Sequence, residues 1–319
     1  MSNPVAPCVD VIIITYNSEP FVRACIESAC ASTDAKVRTI VVDNNSTDGT
    51  VEIIRKEYPS VRLIRNNENK GYARAVNIGV NNSTSDFFII VNADTVFHAN
   101  TAAGAVEYLT SHQDVGIVGV QEVFPNGSWQ RSYGVVPGIW ESIRNLTGIT
   151  SFHSWQRRLR WPGKVDKNPK CVGFVNGAFM AIKKAAFESV NGFDEEFFFY
   201  GEESDFCLRL KRSGWKVVFL PNVEIVHARG GSYTETEVAS GTYSRLLSQS
   251  KILIARKRGY SKWRLSLYMH LERIHAKKME MMYLVMRAFS NASSRAHYSD
   301  MASSFKAITN LWAEQLRKV

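Results

Sequence analysis

The sequence predicts an α/β protein, a mixed, mainly parallel sheet flanked by helices, with a helical extension at the C-terminus. Three observations carry that expectation. Over the first 120 residues, short apolar runs alternate with stretches of helical periodicity. Strands alternating with helices call for right-handed crossovers and a largely parallel sheet. From about Tyr243 to the last residue the pattern is helical throughout. The chain has 319 residues, 45% hydrophobic and 22% charged, enough to bury a substantial core. Its 20 glycines and 9 prolines exclude a collagen-like or wholly disordered chain.

The elements follow in order. Val9–Thr15 (VDVIIIT) is a buried-strand run, and Ser18-Glu19-Pro20 starts a helix on which Phe21, Cys25, Ile26 and Ala29 share a face. Arg38–Val42 (RTIVV) is a second strand ending at Asp43. Thr47-Asp48-Gly49 caps a helix with Val51, Ile54 and Tyr58 inward. Val61–Ile64 is a third strand, Gly71–Val80 a helix, and Asp86–Val91 (DFFIIV) a fourth strand that stops at Asn92-Ala93-Asp94. A helix over Ala102–Thr110 and a strand over Val115–Val120 come next. Residues 125–170 change character: they hold four prolines, Trp129, Trp140, Trp155, Trp161 and the basic cluster Gln156-Arg157-Arg158-Leu159-Arg160. A long loop with short helices over the active-site face is expected there. Phe174–Lys183 resumes as a strand, Glu203–Ser213 as a helix, and Trp215–Leu220 and Val223–His227 as two more strands. The expected division is 1–240, a ligand-binding and catalytic domain, and 241–319, a basic helical extension.

Charge is unevenly spread. Residues 241–319 carry 15 Lys and Arg against 4 acids, a net of +11, whereas the other 240 residues carry 24 against 26. Such a tail seeks an anionic partner, an anionic membrane surface before nucleic acid, since no zinc ligands or RNA-binding aromatics accompany it. Its helical stripes, Trp263, Leu267, Leu271 and Ile274, then Met279, Met282, Met286 and Phe289, suit packing inside the protein, a homodimer contact or a membrane face. Five cysteines without a CxxC pair argue against a disulfide framework or a zinc ribbon. The opening Met1-Ser-Asn-Pro-Val-Ala-Pro has neither the basic start nor the apolar core of a signal peptide. A cytoplasmic chain is expected, at most peripheral on the inner face of the plasma membrane.

Parallel sheets bind ligands beyond the carboxyl ends of their strands. Asp43 and Asp94 stand there, and a buried carboxylate at such a place is either capping or functional. Closely spaced oxygens in Asn92-Ala93-Asp94 suit Mg2+ or Mn2+. His227, closing the run VEIV, is a nitrogen that could join Asp94 on a metal. Glu202, Glu203 and Asp205 crowd the mouth of one helix. Acids are favoured at a helix N-terminus, yet such crowding also raises one pKa toward that of a useful base.

Taken together, Ile13-Ile-Thr-Tyr-Asn17, Val42-Asp-Asn-Asn-Ser-Thr-Asp-Gly-Thr50, Asn69-Lys-Gly-Tyr-Ala-Arg74, Val91-Asn-Ala-Asp-Thr95 and Phe193-Asp-Glu-Glu with Gly201-Glu-Glu-Ser-Asp-Phe206 resemble the inverting family 2 glycosyltransferases. The resemblance spans about 8–235 and is nearest to the bacterial rhamnosyltransferase-like subgroup. It implies a GT-A (Rossmann-like) fold, a nucleotide-sugar donor, a saccharide or lipid-linked saccharide acceptor and a divalent metal. It assigns Thr15, Tyr16 and Asn17 to the nucleotide pocket, and Asp43, with Asn45 near, to the imide N–H of a uracil or thymine base. Lys70, Gly71 and Arg74 flank the diphosphate or sugar. Asn92, Ala93 and Asp94 complete the nucleotide-sugar site, with Asp94 as the last acid of the family's DXD motif, Asn92 replacing the first, and His227 completing the metal shell. The family's Glu-Asp base motif reads Glu202-Glu203 here. Glu203 is taken as the base, with Glu202 and Asp205 as alternates or positioning groups.

Two other classes share part of this pattern. A sugar nucleotidyltransferase shares such a sheet but needs a Gly-rich phosphate loop after the first strand, where this chain has Thr15-Tyr-Asn-Ser-Glu. A catalytically degenerate scaffold at the membrane would have no need of the acids at 94 and 202–205.

Overall fold

A computed structural model describes residues 8–31, 36–147, 168–229 and 242–319. Trp155, Trp161 and the 156–160 basic cluster therefore lie outside the described residues. The rest divides into two compact units. The first holds the described residues between 8 and 135, 168–198 and 202–229; the second holds 136–147, 199–201 and 242–319. This differs from a single cut at 240 by placing residues 136–147 with the C-terminal helices.

The first unit is built on a mixed sheet. Strands β1 (Cys8–Thr15), β2 (Lys36–Asp43), β3 (Arg62–Arg65) and β4 (Phe87–Asn92) run parallel in the order β3-β2-β1-β4. Their crossovers are α1 (Val22–Cys30), α2 (Thr50–Glu57) and α3 (Tyr72–Asn81). After β5 (Thr95–Phe97) and α4 (Thr101–Ser111) comes β6 (Val115–Val123). All nine residues of β6 are buried, as expected of a strand covered on both faces.

The Phe174–Lys183 run is not one strand. It splits into β9 (Phe174–Val175) and β10 (Phe179–Lys183), the former paired with β7 (Tyr133–Gly134), while β8 (Lys170–Cys171) pairs elsewhere. β10 enters between β4 and β6 antiparallel to both, a non-local pairing that periodicity cannot reveal. Conversely, the two strands expected over 215–227 are one, β11 (Lys216–His227), whose register on β6 slips between Leu220 and Glu224. The three extra residues Pro221-Asn222-Val223 form an irregularity within the strand, as a bulge does. α6 (Lys184–Ser189) and α7 (Glu202–Arg212) complete this unit.

Apolar side chains of β1 (Val9, Val11, Ile13) pack with Val22, Cys25, Ile26 and Ala29 of α1 in one core. Each fully buried Ile or Val contributes about 1.5–3 kcal/mol. On the other face α3 lies so close that a Cβ on Gly79 would come within 2.4 Å of Ile12 Cγ2.

In the second unit, α5 (Ile139–Leu146), α8 (Thr242–Lys257), α9 (Lys262–Phe289) and α10 (Ala292–Leu316) share a core of Ile252, Tyr268, Met269, Ala276, Ile308 and Trp312. Asn291 caps α10 by accepting from the Ser294 N–H at 3.1 Å. Tyr268 meets Trp312 edge-on at 5.9 Å and Tyr283 stacks on Phe305 at 5.6 Å, so α9 and α10 run antiparallel. Among the described residues, no helix is long and apolar enough to cross a membrane.

Candidate active site

The parallel strands end on one edge of the sheet, and Asp43, Asp94 and His227 lie at that edge. At the β1 and β2 ends, Asp43 is fully buried and its carboxylate serves the loop. Oδ1 accepts the Ser46 N–H at 3.0 Å; Oδ2 accepts the Thr15 hydroxyl at 2.9 Å and the Ser46 hydroxyl at 2.5 Å. Asn17 Oδ1 accepts the Thr47 N–H at 2.8 Å. Asn17 and Asn45 take left-handed backbone conformations (φ 48° and 67°), which asparagine tolerates better than most residues. Tyr16 projects outward, 47% exposed. An open groove of about 670 Å³ along α2 shares Asn45 with this loop, its cationic lining being Arg55, Lys56 and Arg65.

A second cluster forms where β4 turns into β5. β5 pairs antiparallel with β11, and the register places Thr95 opposite His227. Asp94, 133 positions earlier in the chain, is thereby brought beside that histidine. The Ala228 N–H donates to the Asp94 carbonyl at 3.0 Å, and His227 Nε2 lies 3.4 Å from Asp94 Oδ1. Nδ1 of the same ring lies 3.3 Å from Glu122 Oε2 at the end of β6, and Gln130 Nε2 donates to the His227 carbonyl at 2.5 Å. Burial alone would lower the His227 pKa, but the hydrogen bonds and charges of Asp94 and Glu122 raise it to about 9. With no metal the ring is a cation clamped by two acids. The donor set also fits a divalent ion: an imidazole nitrogen and a carboxylate oxygen face each other, and a carboxylate on the far ring nitrogen is the arrangement that orients metal-binding histidines. Among the described residues, no group of three or more His, Cys, Asp or Glu stands ready to hold an ion alone.

The third cluster depends on Gly71. Its φ is +80°, and a Cβ would stand 2.5 Å from the Phe198 carbonyl. A glycine here lets the start of α3 approach the segment leading to α7, where the Tyr72 N–H donates to that carbonyl at 2.8 Å. Asn44 ties the β2 end to the same turn, its Nδ2 donating to the Gly71 carbonyl at 3.1 Å. Tyr72 is buried and donates to the Gly177 carbonyl at 2.9 Å. Burial, then the charges of Glu202, Glu203 and Asp94, raise its pKa well above the usual value. The charges of two α7 acids and of the β4–β5 acid thus all bear on one buried hydroxyl.

The three α7 acids have different surroundings. Glu202 is buried, its Oε2 has no hydrogen-bond partner among the described residues, and burial followed by the charge of Glu203 pushes its pKa well up. Asp205 is buried in an ion pair with Arg209 at 2.7 Å, and Arg209 donates to the Val190 and Gly192 carbonyls. Glu203 is half-exposed. Arg74 is exposed, 3.5 Å from Glu195, and Lys70 is half-buried on the same turn. Asn92 is half-buried and Ala93 buried.

Sequence reasoning passed over Tyr72, Glu122 and Gln130. Tyr72 sits inside the Asn69–Arg74 motif. Glu122 had a signal: Gln121-Glu122 are polar residues at the end of a buried apolar strand, which demands partners.

Fold and site together define an α/β enzyme whose acids gather at strand ends. The description "Glycosyl transferase family 2" matches residues 10–190, and "N-terminal domain of galactosyltransferase" matches 167–235. The N-acetylglucosaminyl-diphospho-decaprenol L-rhamnosyltransferase of Mycobacterium tuberculosis is 26% identical over 235 residues, covering 70% of this chain and 76% of that protein. The low-salt glycan biosynthesis hexosyltransferase Agl10 of Haloferax volcanii is 23% identical over 263 residues, covering 76% and 75%. Among solved structures, the mannosyltransferase PcManGT of Pyrobaculum calidifontis, in complex with GDP-Man and Mn2+, superposes with a TM-score of 0.57 at 19% identity. That match covers 97% of this chain and 85% of PcManGT. TarS 1-349 of S. aureus with UDP gives 0.52 at 14% identity, covering 96% and 91%. The chain belongs to glycosyl transferase family 2 and has the GT-A fold.

Proposed function

We propose that the protein is an inverting, metal-dependent glycosyltransferase. It moves a sugar from a nucleoside diphosphate, dTDP-rhamnose or a UDP-hexose, to a hydroxyl of a saccharide or lipid-linked saccharide in cell-surface polysaccharide synthesis. The observation that supports this reading is His227 against Asp94 at the strand ends, with the charges of Glu202, Glu203 and Asp94 all acting on the buried Tyr72 hydroxyl.

In this mechanism Glu203 takes the proton of the acceptor hydroxyl as that oxygen bonds to the anomeric carbon. The bond from that carbon to the diphosphate oxygen breaks on the opposite face, so configuration inverts. General-base catalysis of this kind gives roughly 10²–10⁴-fold. Glu203 suits the role because Asp205 is committed to Arg209 and Glu202 is biased toward its protonated form, whereas Glu203 reaches solvent. Asp94 and His227 would hold Mg2+ or Mn2+, which when bound offsets negative charge on the diphosphate. Lys70 and Arg74 add positive charge on the α3 side. Thr15, Tyr16, Asn17 and Asn45 border the nucleoside, and Asp43 shapes their loop, its lone pairs already shared with Thr15 and Ser46.

Glu203→Gln tests the base. The variant should bind donor within about twofold of the parent and lose roughly 10²-fold or more of its transfer rate. Normal turnover would sink the assignment. A panel of sugar nucleotides in thermal-shift measurements, with and without Mn2+, would name the donor.

A further inference from the structure

The 28-residue helix α9 has two unlike sides. Tyr268, Met269, Glu272 and Ala276 are buried against neighbouring helices of the same unit. Trp263, Leu267, Ile274, Met281 and Val285 are 64%, 40%, 55%, 56% and 53% exposed. Their spacings of four, seven, seven and four residues keep them within an arc of about 40°, diametrically opposite the buried side. The stripe runs for roughly 33 Å. Met282, Met286 and Phe289, the last 89% exposed, widen it at the C-terminal end. Of the eight residues in the two expected stripes, Trp263, Leu267, Ile274, Met282, Met286 and Phe289 are exposed rather than packed inside the protein, and Leu271 and Met279 are half-buried.

The charges beside the stripe have one sign. Arg264, Lys277 and Lys278, within about 80° of the stripe's midline, are exposed, as are Arg273 and Arg287 further round the helix; Lys278 also donates to the Leu146 carbonyl. Its acids are Glu272, buried with Lys251 and Ser142, and the half-buried Glu280. The face is apolar along its axis and cationic at its margins, on a segment with a net charge of +11. A core-facing helix would bury that stripe, and α9 is too polar to span a bilayer. A helix lying in the plane of an anionic bilayer has this design: apolar residues enter the acyl boundary and Lys and Arg meet phosphate headgroups.

We propose that the outward face of α9 docks the protein on an anionic phospholipid surface, with Trp263, Leu267, Ile274, Met281 and Val285 inserted. The proposal stands apart from the choice of donor and base. The test is flotation of the full chain with phosphatidylcholine vesicles, with or without about a quarter phosphatidylglycerol. The parent should bind the anionic vesicles at least about tenfold better than the neutral ones. Ile274→Glu/Met281→Glu/Val285→Glu should lose at least about tenfold of that binding. The thermal shift with nucleoside diphosphate should be unchanged, which separates this outcome from failure of the enzymatic reading. Because a triple variant can misfold, brominated lipid supplies a second readout: it should quench parent fluorescence more than that of Trp263→Phe. A parent that stays unbound at low salt, a triple variant that binds like the parent, or equal quenching would overturn the proposal. So would light scattering that shows a dimer dissociated by the triple variant without vesicle binding, assigning the face to a second copy of the chain.

Discussion

Two buried glutamates, one in each unit, are 5% and 4% exposed and yet are treated in opposite ways. Glu202 opens α7 with one oxygen unpartnered among the described residues, and burial plus the neighbouring Glu203 push its pKa up. Glu272 of α9 accepts the Ser142 hydroxyl at 2.6 Å and Lys251 Nζ at 3.0 Å; burial opposes ionisation, but the Lys251 charge and these hydrogen bonds win and its pKa falls. A buried acid left uncompensated by its fold marks a candidate functional region, and a compensated one serves architecture. The helical unit holds its acid for stability; the sheet unit tolerates one at a cost.

Breaking the compensated pair should give the largest stability effect. Glu272→Gln removes the carboxylate that pairs with Lys251, whose side chain is 16% exposed, and should cost about 3 kcal/mol, the lower end for a broken buried pair. Denaturant unfolding at neutral pH measures this. The parent's advantage should be full above the ordinary glutamate pKa of 4.5 and vanish as pH falls through the lower folded value, because only the ionised carboxylate pairs with lysine. An advantage that persisted into strong acid would show that shape, not charge, holds the cluster.

A second contrast lies within the sheet unit, between two strand-end aspartates. Asp43 is buried and fully engaged, whereas Asp94 faces an imidazole. Glu122→Gln, which acts on Asp94's partner from behind, should weaken Mn2+ binding by roughly 10–100-fold. The readout is a Mn2+ titration followed by electron paramagnetic resonance with nucleoside diphosphate present. Unchanged affinity would make Glu122 a mere neighbour. Asp43→Asn should instead lower stability by about 1–2 kcal/mol, since an amide cannot accept from both hydroxyls and the Ser46 N–H as a carboxylate does. Equal stability with lost donor binding would mean that Asp43 acts on the base rather than on its loop.

The alternation of strands and helices was legible through β4, because each apolar run and each cap is local. The antiparallel entry of β10 was not, since Phe179–Lys183 is as apolar as a parallel strand and only its neighbours fix its direction. The merging of two expected strands into β11 escaped for the same reason: Pro221 reads as a break, while pairing on both sides carries the strand past it. At the site, Asp94 and His227 could be named singly from their strand-end positions, but the register that joins them is a property of β5 on β11. Tyr72 and Glu122 lack a distinctive spacing; what marks them is burial beside charge, visible in three dimensions. The α9 stripe illustrates the converse. Periodicity placed Trp263, Leu267 and Ile274 on one stripe, but Met281 and Val285 joined them, and the face was seen to look outward, only once the packing of the opposite side was known.

The smallest expected effect sharpens the opening contrast most. An acid whose pKa rises on folding keeps its proton in the folded chain over a range where the unfolded chain has lost it. The stability associated with Glu202 is therefore full below about pH 4.5 and declines as pH rises toward the folded value. Glu202→Gln replaces the reluctant acid with a neutral isostere and removes that decline. The variant should match the parent in melting temperature near pH 4 and exceed it by roughly 2–4 °C at pH 8, the shift that about 1 kcal/mol gives a domain of this size. Glu272→Gln has the opposite sign at pH 8 and converges on its parent only in acid. A Glu202→Gln protein that melted lower than the parent at pH 8 would mean that the carboxylate is paired after all, and the asymmetry between the two units would disappear with it.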